Sequence, residues 1–529
     1  MPVSDDFHVY DTTLRDGAQR EGISYSVQDK LAVAKLLDQY GVGFIEGGWP
    51  GALPKDTEFF ARAKDELELV NAQLVAFGAT RKAGVNVEDD QQVAALLAAQ
   101  TPAITLVAKS DVRHVTDALR TTLDENLNMV VDTVAYLVAN GRRVFLDMEH
   151  FFDGYKADHD YGISLLNAAY EAGASVGVLC DTNGGMLPLG IYRTVQEVKS
   201  RTNIRLGMHC QDDTAAAVAN SVTGVEAGAT HVQCTANGYG ERTGNADLFA
   251  TVANLELKLG MKVLPEGRLA ESVRISHALA EMANLPPNTH QAYVGTSSFA
   301  HKAGLHASAL KVRQDLYNHI DPTLVGNDMR VLVTEMAGRA SVELKGRELG
   351  YDLSDKPEAL TAVVARVKNL EARGYSFEAA DASFELILRD EITGSRKRYF
   401  TVESWRTIVE QREDGAVNSE ATVKVHAGGE RIVSTGEGNG PVNALDNALR
   451  GALMQIYPEL ETLELIDYKV RILEGVKGTD AVTRVLIETS DGKTTWDTVG
   501  VHENVIAASW DAISDAVAYG LMRAGRSAD

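Results

Sequence analysis

Eight short segments rich in β-branched and other apolar residues place the strongest constraint on the fold, because each is followed by a longer stretch with helical spacing. The segments begin at His8, Phe44, Leu74, Ala103, Arg143, Val176, Ile204 and Thr230, so successive starts lie 26 to 40 residues apart. One strand and one helix fit that interval. Eight such units predict a (β/α)8 barrel, an α/β fold of roughly 250 residues. The alternative, a doubly wound sheet, needs a glycine-rich phosphate-binding turn after the first strand, and TTLRDGAQ is not one.

The chain is longer than one barrel requires. It has 529 residues, whereas single cores stop growing at about 250 to 300 residues. We assign residues 1–265 to the barrel and 266–390 to a mostly helical connecting region that contains the polar stretch VGTSSFAHKAGLHAS. Between 391 and 529 a pattern of three strands followed by a helix occurs twice. This repeat predicts a separate C-terminal α+β domain of two βββα units.

Charge and composition exclude several classes of partner. The chain carries 51 Lys and Arg against 74 Asp and Glu, a formal charge of −23, so we expect neither a nucleic-acid partner nor an anionic membrane surface. No segment has the 18 or so consecutive apolar residues of a membrane span. Cys180, Cys210 and Cys234 have no disulfide or zinc spacing, and the first residues lack a secretion pattern. We therefore expect a cytoplasmic protein.

Polar side chains follow nearly every predicted strand. In barrels of this kind the carboxyl ends of the strands carry the functional residues. Any single one of these side chains is more simply interpreted as solvating a loop, but their joint occurrence favours a site. The strand-end residues are Arg15, Asp16, Glu46, Arg81, Lys109, Glu149, His150, Asp181, Thr182, His209, Gln211 and Asn237.

Four of these residues predict a divalent metal site. His209 and Gln211 lie two apart on a strand and therefore face the same side. Together with Asp16 and Asn237 they offer a carboxylate, an imidazole and two amide oxygens, which leaves positions open for a substrate. Such a metal would chelate a 2-oxo acid.

Three further residues complete the predicted chemistry. Arg15, beside the metal, would stabilise negative charge on the keto oxygen of the oxo acid. Glu149 would move a proton at a carbon next to a carbonyl. Glu46 has two interpretations of equal weight, a direct part in substrate binding or a structural partner for a buried Arg15.

The strand-end residues lie within longer motifs. They are DTTLRDGAQREG, IEGGWP, AKSDVRHVTDAL, TTLDENLNMVVDTVAYL, DMEHFFDGYKA, VLCDTNGG, HCQDD, TANGYGERTGNADL and FAHKAGLHASA. In this order they resemble the acyl-CoA condensing enzymes that include the 2-isopropylmalate, homocitrate and citramalate synthases. The strings from AKSDVRHVTDAL to VLCDTNGG are most similar to the bacterial citramalate synthase branch, and the resemblance extends over the C-terminal repeat.

The resemblance implies an acyltransferase with acetyl-CoA as its co-substrate. Acetyl-CoA loses a methyl proton, the enolate adds to the keto carbon of pyruvate, and hydrolysis of the thioester gives (R)-citramalate and CoA. This reaction opens a pyruvate route to isoleucine. The family's C-terminal domain is a regulatory, dimerising module that binds a feedback amino acid. For citramalate synthases the resemblance implies isoleucine as that effector.

Residue roles carried over from the family agree in part with the chemical reasoning. Asp16, His209 and Asn237 resemble metal-site residues, and Arg15 resembles the arginine that polarises the keto oxygen. Glu149 matches an active-site acid for proton transfer.

Three other positions acquire roles only through the resemblance. Thr182 matches a residue that holds the oxo-acid carboxylate. His306 and Tyr317 resemble a pair that reaches from the connecting region into the barrel of a partner subunit, which implies a homodimer or a larger assembly. The first proton acceptor is either Glu149 or His306, the latter acting through Tyr317 or water.

Position 211 departs from the family pattern. The family usually has His-x-His at the seventh strand, and this chain has His209-Cys210-Gln211. An amide oxygen is a harder and weaker ligand than imidazole, so we expect a preference for Mg²⁺ or Mn²⁺ over Zn²⁺.

Other functions are compatible with the same motifs. One is 2-isopropylmalate synthesis from 2-oxoisovalerate, which differs in the volume of the substrate pocket. Another is cleavage by a lyase, although lyases of this type generally lack the C-terminal repeat. The third, from a different class, is a non-catalytic amino-acid sensor whose altered metal site has lost its ion; intact Arg15, Asp16, Glu149, His209 and His306 argue against it.

Overall fold

A computed structural model describes residues 5–334, 336, 338–394, 398–473 and 481–528. The chain divides into two compact units, the first comprising residues 1–299 and 320–328 and the second comprising residues 300–319 and 329–529. The first unit contains the barrel. The predicted domain boundaries after residues 265 and 390 stay predictions, because the division into two units falls at other residues.

Eight parallel strands close into a barrel in sequence order. The last strand pairs with the first, with Val9 opposite Val232. The predicted (β/α)8 barrel is therefore confirmed, and a doubly wound sheet is excluded. The strands are β1 His8–Asp11, β2 Phe44–Gly48, β3 Gln73–Ala79, β4 Ala103–Lys109, β5 Arg143–Glu149, β6 Val176–Asp181, β7 Arg205–Cys210 and β8 His231–Cys234.

Helices with one apolar face surround the barrel. The first of them begins at a capping box between Ser26 and Asp29 and ends at Gly41, whose φ of 99° suits glycine. The helices are α1 Val27–Tyr40, α2 Pro54–Glu66, α3 Gln91–Ala98, α4 Leu123–Ala139, α5 Phe151–Ala157, α6 His159–Glu171, α7 Pro188–Arg201, α8 Ala217–Glu226, α9 Leu248–Leu257 and α10 Ser272–Met282.

The barrel interior is packed with side chains and is not a channel. Its core cluster includes three aromatic residues, Tyr10, Phe44 and Phe145, which are all at most 4% exposed. Cys180 belongs to this cluster. The three cysteines are free thiols and are buried, consistent with small core residues.

The second unit begins with a mainly helical region, as predicted. A short parallel pair of strands, β9 Ala300–His301 and β10 Arg330–Val331, accompanies four helices. These are α11 Gly304–Val312, α12 Arg339–Glu348, α13 Pro357–Ala372 and α14 Asp381–Thr393.

Two βββα repeats complete the second unit and confirm the predicted duplication. Each repeat is a three-stranded antiparallel sheet with the strands in sequence order, followed by a helix. The first comprises β11 Thr401–Gln411, β12 Val417–Ala427, β13 Glu430–Gly438 and α15 Pro441–Leu453; the second comprises β14 Glu464–Ile472, β15 Thr483–Ser490, β16 Thr495–His502 and α16 Val505–Arg523. Within the described ranges, no helix has both the length and the apolar character needed to cross a bilayer.

Candidate active site

Arg15 is held at the mouth of the barrel by a carboxylate from the neighbouring strand. Its Nε donates to Glu46 Oε1 at 2.6 Å, and Tyr10 Oη donates to the other oxygen of Glu46 at 2.5 Å. The guanidinium lies 3.9 Å from the centre of the Phe77 ring. Burial alone would lower the pKa of Arg15, but the carboxylates of Glu46 and Asp16 raise it, so the side chain is a fixed cation. These contacts support the interpretation of Glu46 as the buried partner of Arg15.

Three of the four predicted metal ligands lie together beside Arg15. Asp16 Oδ2 is 3.4 Å from His209 Nε2, and Gln211 Nε2 is 3.4 Å from the same imidazole nitrogen. The Oε1 atom of Gln211 is buried and has no hydrogen-bond partner. A buried amide oxygen without a donor fits a position that a cation would occupy.

The cluster contains only two residues with carboxylate, imidazole or thiolate groups. Accordingly, no group of three or more His, Cys, Asp or Glu side chains in the described part of the chain is arranged to hold a metal ion. A cation at this cluster would take its remaining protein ligands from amide oxygens, a donor set suited to Mg²⁺ or Mn²⁺.

Asn237 is not among the clustered residues. Its Oδ1 accepts hydrogen bonds from Ser276 Oγ at 2.6 Å and from Gln291 Nε2 at 3.1 Å, and its Nδ2 donates to Tyr239 Oη at 3.1 Å. Its amide is thus fully bonded to protein groups. None of these hydrogen bonds connects Asn237 to Asp16 or His209, so its role as a metal ligand stays a prediction that these contacts do not support.

Asn245, eight positions further along the same TANGYGERTGNADL motif, has the features expected of the missing ligand. It forms an antiparallel bridge with Gln211, which places the two side chains next to each other on one face. It is 4% exposed, and its Oδ1 has no hydrogen-bond partner. Its Nδ2 donates to Tyr239 O at 2.9 Å, so the oxygen end of the amide is the free one.

Glu149 and Thr182 lie at the ends of adjacent strands. Glu149 forms an ion pair with Lys109, and both side chains keep 26% of their surface exposed. Thr182 Oγ1 accepts a hydrogen bond from His150 N at 2.8 Å, which leaves the hydroxyl proton free to donate. The His150 ring stacks on His114 at 3.9 Å between centroids, and burial lowers the pKa of His150.

Two other strand-end residues have structural contacts that account for them. Arg81 binds Glu125 at 2.7 Å and Asp132 at 2.7 Å, which ties β3 to α4. Asp181 accepts hydrogen bonds from Gly185 N and Met186 N and closes the loop after β6. Neither side chain is presented to the Arg15 cluster by these contacts.

His306 and Tyr317 belong to the second unit and contact each other there. Their rings stack with centroids 4.0 Å apart and an interplanar angle of 26°. His301 lies beside them, with its ring centroid 6.0 Å from that of His306 and its Nε2 2.8 Å from Asn318 Oδ1. The two rings are therefore in contact, and the role of the pair in a partner's barrel stays a prediction.

Sequence reasoning missed the buried residues that support the site from below. Gln233, on β8, accepts a hydrogen bond from His209 Nδ1 through its Oε1 at 2.9 Å and donates from its Nε2 to Asp147 Oδ1 at 2.8 Å. Tyr10 supports Glu46 in the same way. Both residues could have been found in the sequence, because polar residues at alternate positions of a barrel strand point into the barrel, as the functional residues do.

Three family models match successive parts of the chain. The HMGL-like model matches residues 6–278, the homocitrate synthase post-HMGL domain-like model matches 293–375, and the LeuA allosteric (dimerisation) domain model matches 378–521. An HMGL-like barrel followed by these two domains defines an acyl-CoA condensing synthase, the class that the motifs predicted.

Full-length relatives narrow the class. The chain is 66% identical to the (R)-citramalate synthase of Streptomyces coelicolor over 99% of its own length and 98% of the relative's. It is 47% identical to the (R)-citramalate synthase of Aquifex aeolicus, over 98% of its own length and 99% of the relative's, and 47% identical to that of Synechocystis, over 97% and 96%. The chain belongs to the (R)-citramalate synthase family.

Proposed function

We propose that the protein condenses acetyl-CoA with pyruvate to give (R)-citramalate and CoA. Identity of 66% over nearly the whole length of a curated (R)-citramalate synthase carries this proposal. The arrangement of Arg15, Asp16 and His209 at the mouth of the barrel supports it, because a fixed cation lies next to a set of metal-binding groups.

Arg15 binds the oxo acid and stabilises the charge that develops during the condensation. As the enolate carbon of acetyl-CoA adds to the keto carbon of pyruvate, the electron pair of the C=O bond moves to oxygen. A guanidinium already held by Glu46 and Phe77 can donate to that oxygen without reorganising. The hydroxyl of Thr182 is available for the pyruvate carboxylate.

Asp16, His209, Gln211 and Asn245 are the residues that would hold the divalent cation. The buried oxygens of Gln211 and Asn245, neither with a protein donor, are the observation that supports this set. When bound, the cation supplies Lewis-acid polarisation of the keto group. Three oxygens and one imidazole nitrogen favour Mg²⁺ or Mn²⁺.

Proton transfer is assigned to Glu149 and to His306. Glu149 is paired with Lys109 at the barrel mouth, where it can receive a proton from the acetyl methyl group. The imidazole of His306, stacked on Tyr317, would serve the same reaction from the second unit of a partner subunit. Water then hydrolyses the citramalyl thioester and releases CoA.

The C-terminal domain provides dimerisation and feedback control, with isoleucine as the effector. The LeuA allosteric (dimerisation) domain model supports the regulatory role. A cavity of about 590 Å³ lies at the start of α15, lined in part by Asn439, Gly440, Asp446, Arg450 and Tyr468. Backbone N–H groups at a helix start suit a carboxylate.

Release of free thiol from acetyl-CoA tests the proposal. Purified protein would be assayed with Mn²⁺ or Mg²⁺ against pyruvate, 2-oxobutyrate and 2-oxoisovalerate, with and without isoleucine or leucine. We expect the highest kcat/KM with pyruvate and inhibition by isoleucine. A preference for 2-oxoisovalerate would identify a 2-isopropylmalate synthase, and the absence of CoA release with every oxo acid would identify a non-catalytic sensor.

A further inference from the structure

A chain of three buried polar side chains lies directly beneath the site. Asp147 on β5, Gln233 on β8 and His209 on β7 are 4%, 1% and 7% exposed. Gln233 Nε2 is 2.8 Å from Asp147 Oδ1, and Gln233 Oε1 is 2.9 Å from His209 Nδ1. Both ends of the Gln233 amide are therefore engaged across the interior of the barrel.

The three hydrogen-bonded side chains are oriented in one direction. Gln233 Nε2 donates to Asp147 Oδ1 at 2.8 Å, so the NH₂ end of the Gln233 amide faces Asp147. The amide oxygen of Gln233 then faces His209, and an oxygen can only accept. The proton of a neutral His209 must consequently reside on Nδ1, and the lone pair of Nε2 is left facing Asp16 and Gln211.

The other face of His209 agrees with this assignment. Gln211 Nε2 lies 3.4 Å from His209 Nε2, which is a donor pointing at a nitrogen lone pair. Asp16 Oδ2 lies 3.4 Å from the same nitrogen, on the side where the cation is proposed. His209 is the only imidazole in this ligand set. If it had the wrong tautomer, no second histidine could provide a nitrogen ligand.

We propose that Gln233 and Asp147 are positioning residues that fix His209 in the Nδ1-protonated tautomer, so that Nε2 is ready to bind the divalent cation. The inference rests on the proposed metal site and deepens it. Both residues are buried beneath the site and would act on the cation through His209. Partners of this kind orient a ligating imidazole and raise its basicity.

Metal binding by the metal-free protein is the direct readout. Gln233→Leu removes the acceptor for Nδ1–H, and we expect Mn²⁺ affinity measured by isothermal titration calorimetry to fall about 10- to 100-fold. Asn327→Leu is the matched control, because it deletes another buried amide whose Nδ2 donates to Tyr293 O at 2.8 Å and to Gly295 O at 2.9 Å, away from the site. Thermal unfolding of both variants separates lost stability from lost affinity.

A single and a double variant test the orientation of the hydrogen bonds between Asp147, Gln233 and His209. Gln233→Glu keeps an acceptor for His209 Nδ1–H but sets a carboxylate against Asp147, so we expect weakened Mn²⁺ binding. Adding Asp147→Asn restores a donor and an acceptor across that contact. The double variant should recover most of the Mn²⁺ affinity that Gln233→Glu loses, which a purely structural role for Gln233 would not produce.

The outcomes are distinguishable from failure of the proposed function. If the wild-type protein and Asp16→Asn bind Mn²⁺ equally weakly, the metal site itself is wrong and this inference falls with it. If the wild type binds Mn²⁺ and Asp16→Asn does not, but Gln233→Leu equals Asn327→Leu in affinity, only the positioning role of Gln233 is overturned. Absence of rescue in the double variant overturns the tautomer argument.

Discussion

Arg15 Nε donates to Glu46 Oε1 at 2.6 Å, and Glu46 is completely buried while the Arg15 side chain keeps 14% of its surface exposed. The carboxylate therefore fixes the direction in which the guanidinium faces the mouth of the barrel. Lysine at position 15 would keep the charge but not the planar fork. We expect Arg15→Lys to lower kcat about 10²- to 10³-fold in the CoA-release assay.

Glu46→Gln provides the companion measurement. It keeps the shape of the side chain but leaves the guanidinium without its buried charge partner, so kcat should fall while Mn²⁺ affinity changes little. Equal activity of Arg15→Lys and the wild type would show that Arg15 does not act on the keto oxygen.

The two asparagines of the TANGYGERTGNADL motif should differ in their effect on metal binding. We expect Asn245→Ala to weaken Mn²⁺ binding at least 10-fold, because it removes a buried oxygen with no protein donor. Asn237→Ala should leave Mn²⁺ affinity close to that of the wild type, since its amide is bonded to Ser276, Gln291 and Tyr239. Calorimetric titration with Mn²⁺ compares the two variants. A larger loss of Mn²⁺ affinity in Asn237→Ala than in Asn245→Ala would identify Asn237 as the ligand.

Glu149 and His306 should complement each other if the active site is shared between subunits. Glu149→Gln and His306→Ala are each expected to be nearly inactive as purified homodimers. Co-expression should restore CoA release to about a quarter of the wild-type rate, because half of the dimers are mixed and each contains one intact site. Mixed dimers isolated with two different affinity tags provide the sample. Persistent inactivity of those mixed dimers would place both residues in the same site of one chain.

The acid stability of the protein should depend on His8. This imidazole contacts Asp5 at 3.0 Å, Arg143 at 3.2 Å and His231 at 3.2 Å at the opposite end of the barrel from the site. Burial, with help from the two nearby arginines, lowers the pKa of His8 from 6.5 to about 4. Between these two values the unfolded chain holds a proton on His8 that the folded chain does not, so the free energy of unfolding falls as the pH is lowered from 6.5 to 4.

Removing the titratable group should flatten that dependence. In His8→Gln the slope of unfolding free energy against pH should decrease by up to about 1.4 kcal/mol per pH unit in this window. Urea denaturation at several pH values measures it, with exposed His290→Gln as the control. An unchanged slope in His8→Gln would mean that the folded protein binds a proton on His8 as readily as the unfolded chain.

A buried carboxylate links two helices and a loop of the second unit. Tyr351 Oη donates to Glu385 Oε1 at 2.9 Å and Tyr519 Oη donates to Oε2 at 2.8 Å, while Glu385 is 8% exposed. Tyr351→Phe and Tyr519→Phe should each lower the free energy of unfolding by about 1 to 3 kcal/mol, because each leaves a buried oxygen without its donor. The double variant should deviate from additivity, since both hydroxyls serve one carboxylate.

Chemical denaturation of the full chain gives these values. Tyr170→Phe, at a tyrosine that is 46% exposed, is the matched control for loss of a hydroxyl. A cost for Tyr351→Phe no greater than that for Tyr170→Phe would contradict the role assigned to Glu385.

Local signals were sufficient for most of the fold. Each barrel strand is a buried run bounded by turn residues, and the spacing from His8 to Thr230 allows one helix per strand, so the order of elements follows from short-range pattern. The strand-end rule then located Arg15, Asp16, His209 and Gln211 correctly at one edge, because parallel strands of a barrel all end at the same face. The glutamine at position 211, in place of the second histidine of the family's His-x-His pattern, was equally visible in the sequence.

Contacts between distant segments were not predictable in the same way. Asn237 and Asn245 lie in one motif with the same side-chain chemistry, and pattern alone favoured Asn237, whereas the bridge to Gln211 favours Asn245. The choice depends on which oxygen is already bonded, and the donors to Asn237 come from Ser276 and Gln291, tens of residues away. No local periodicity records that pairing.

The sequence by itself determined the barrel, the duplicated C-terminal domain and the chemical types gathered at the strand ends, since these depend on residue spacing and strand polarity. Only the tertiary structure decided how those groups are bonded: Glu46 to Arg15, Gln233 between Asp147 and His209, and Asn245 beside Gln211. Hydrogen bonds are satisfied across the closed barrel between strands far apart in sequence, so donor and acceptor assignments become defined only when the chain has folded.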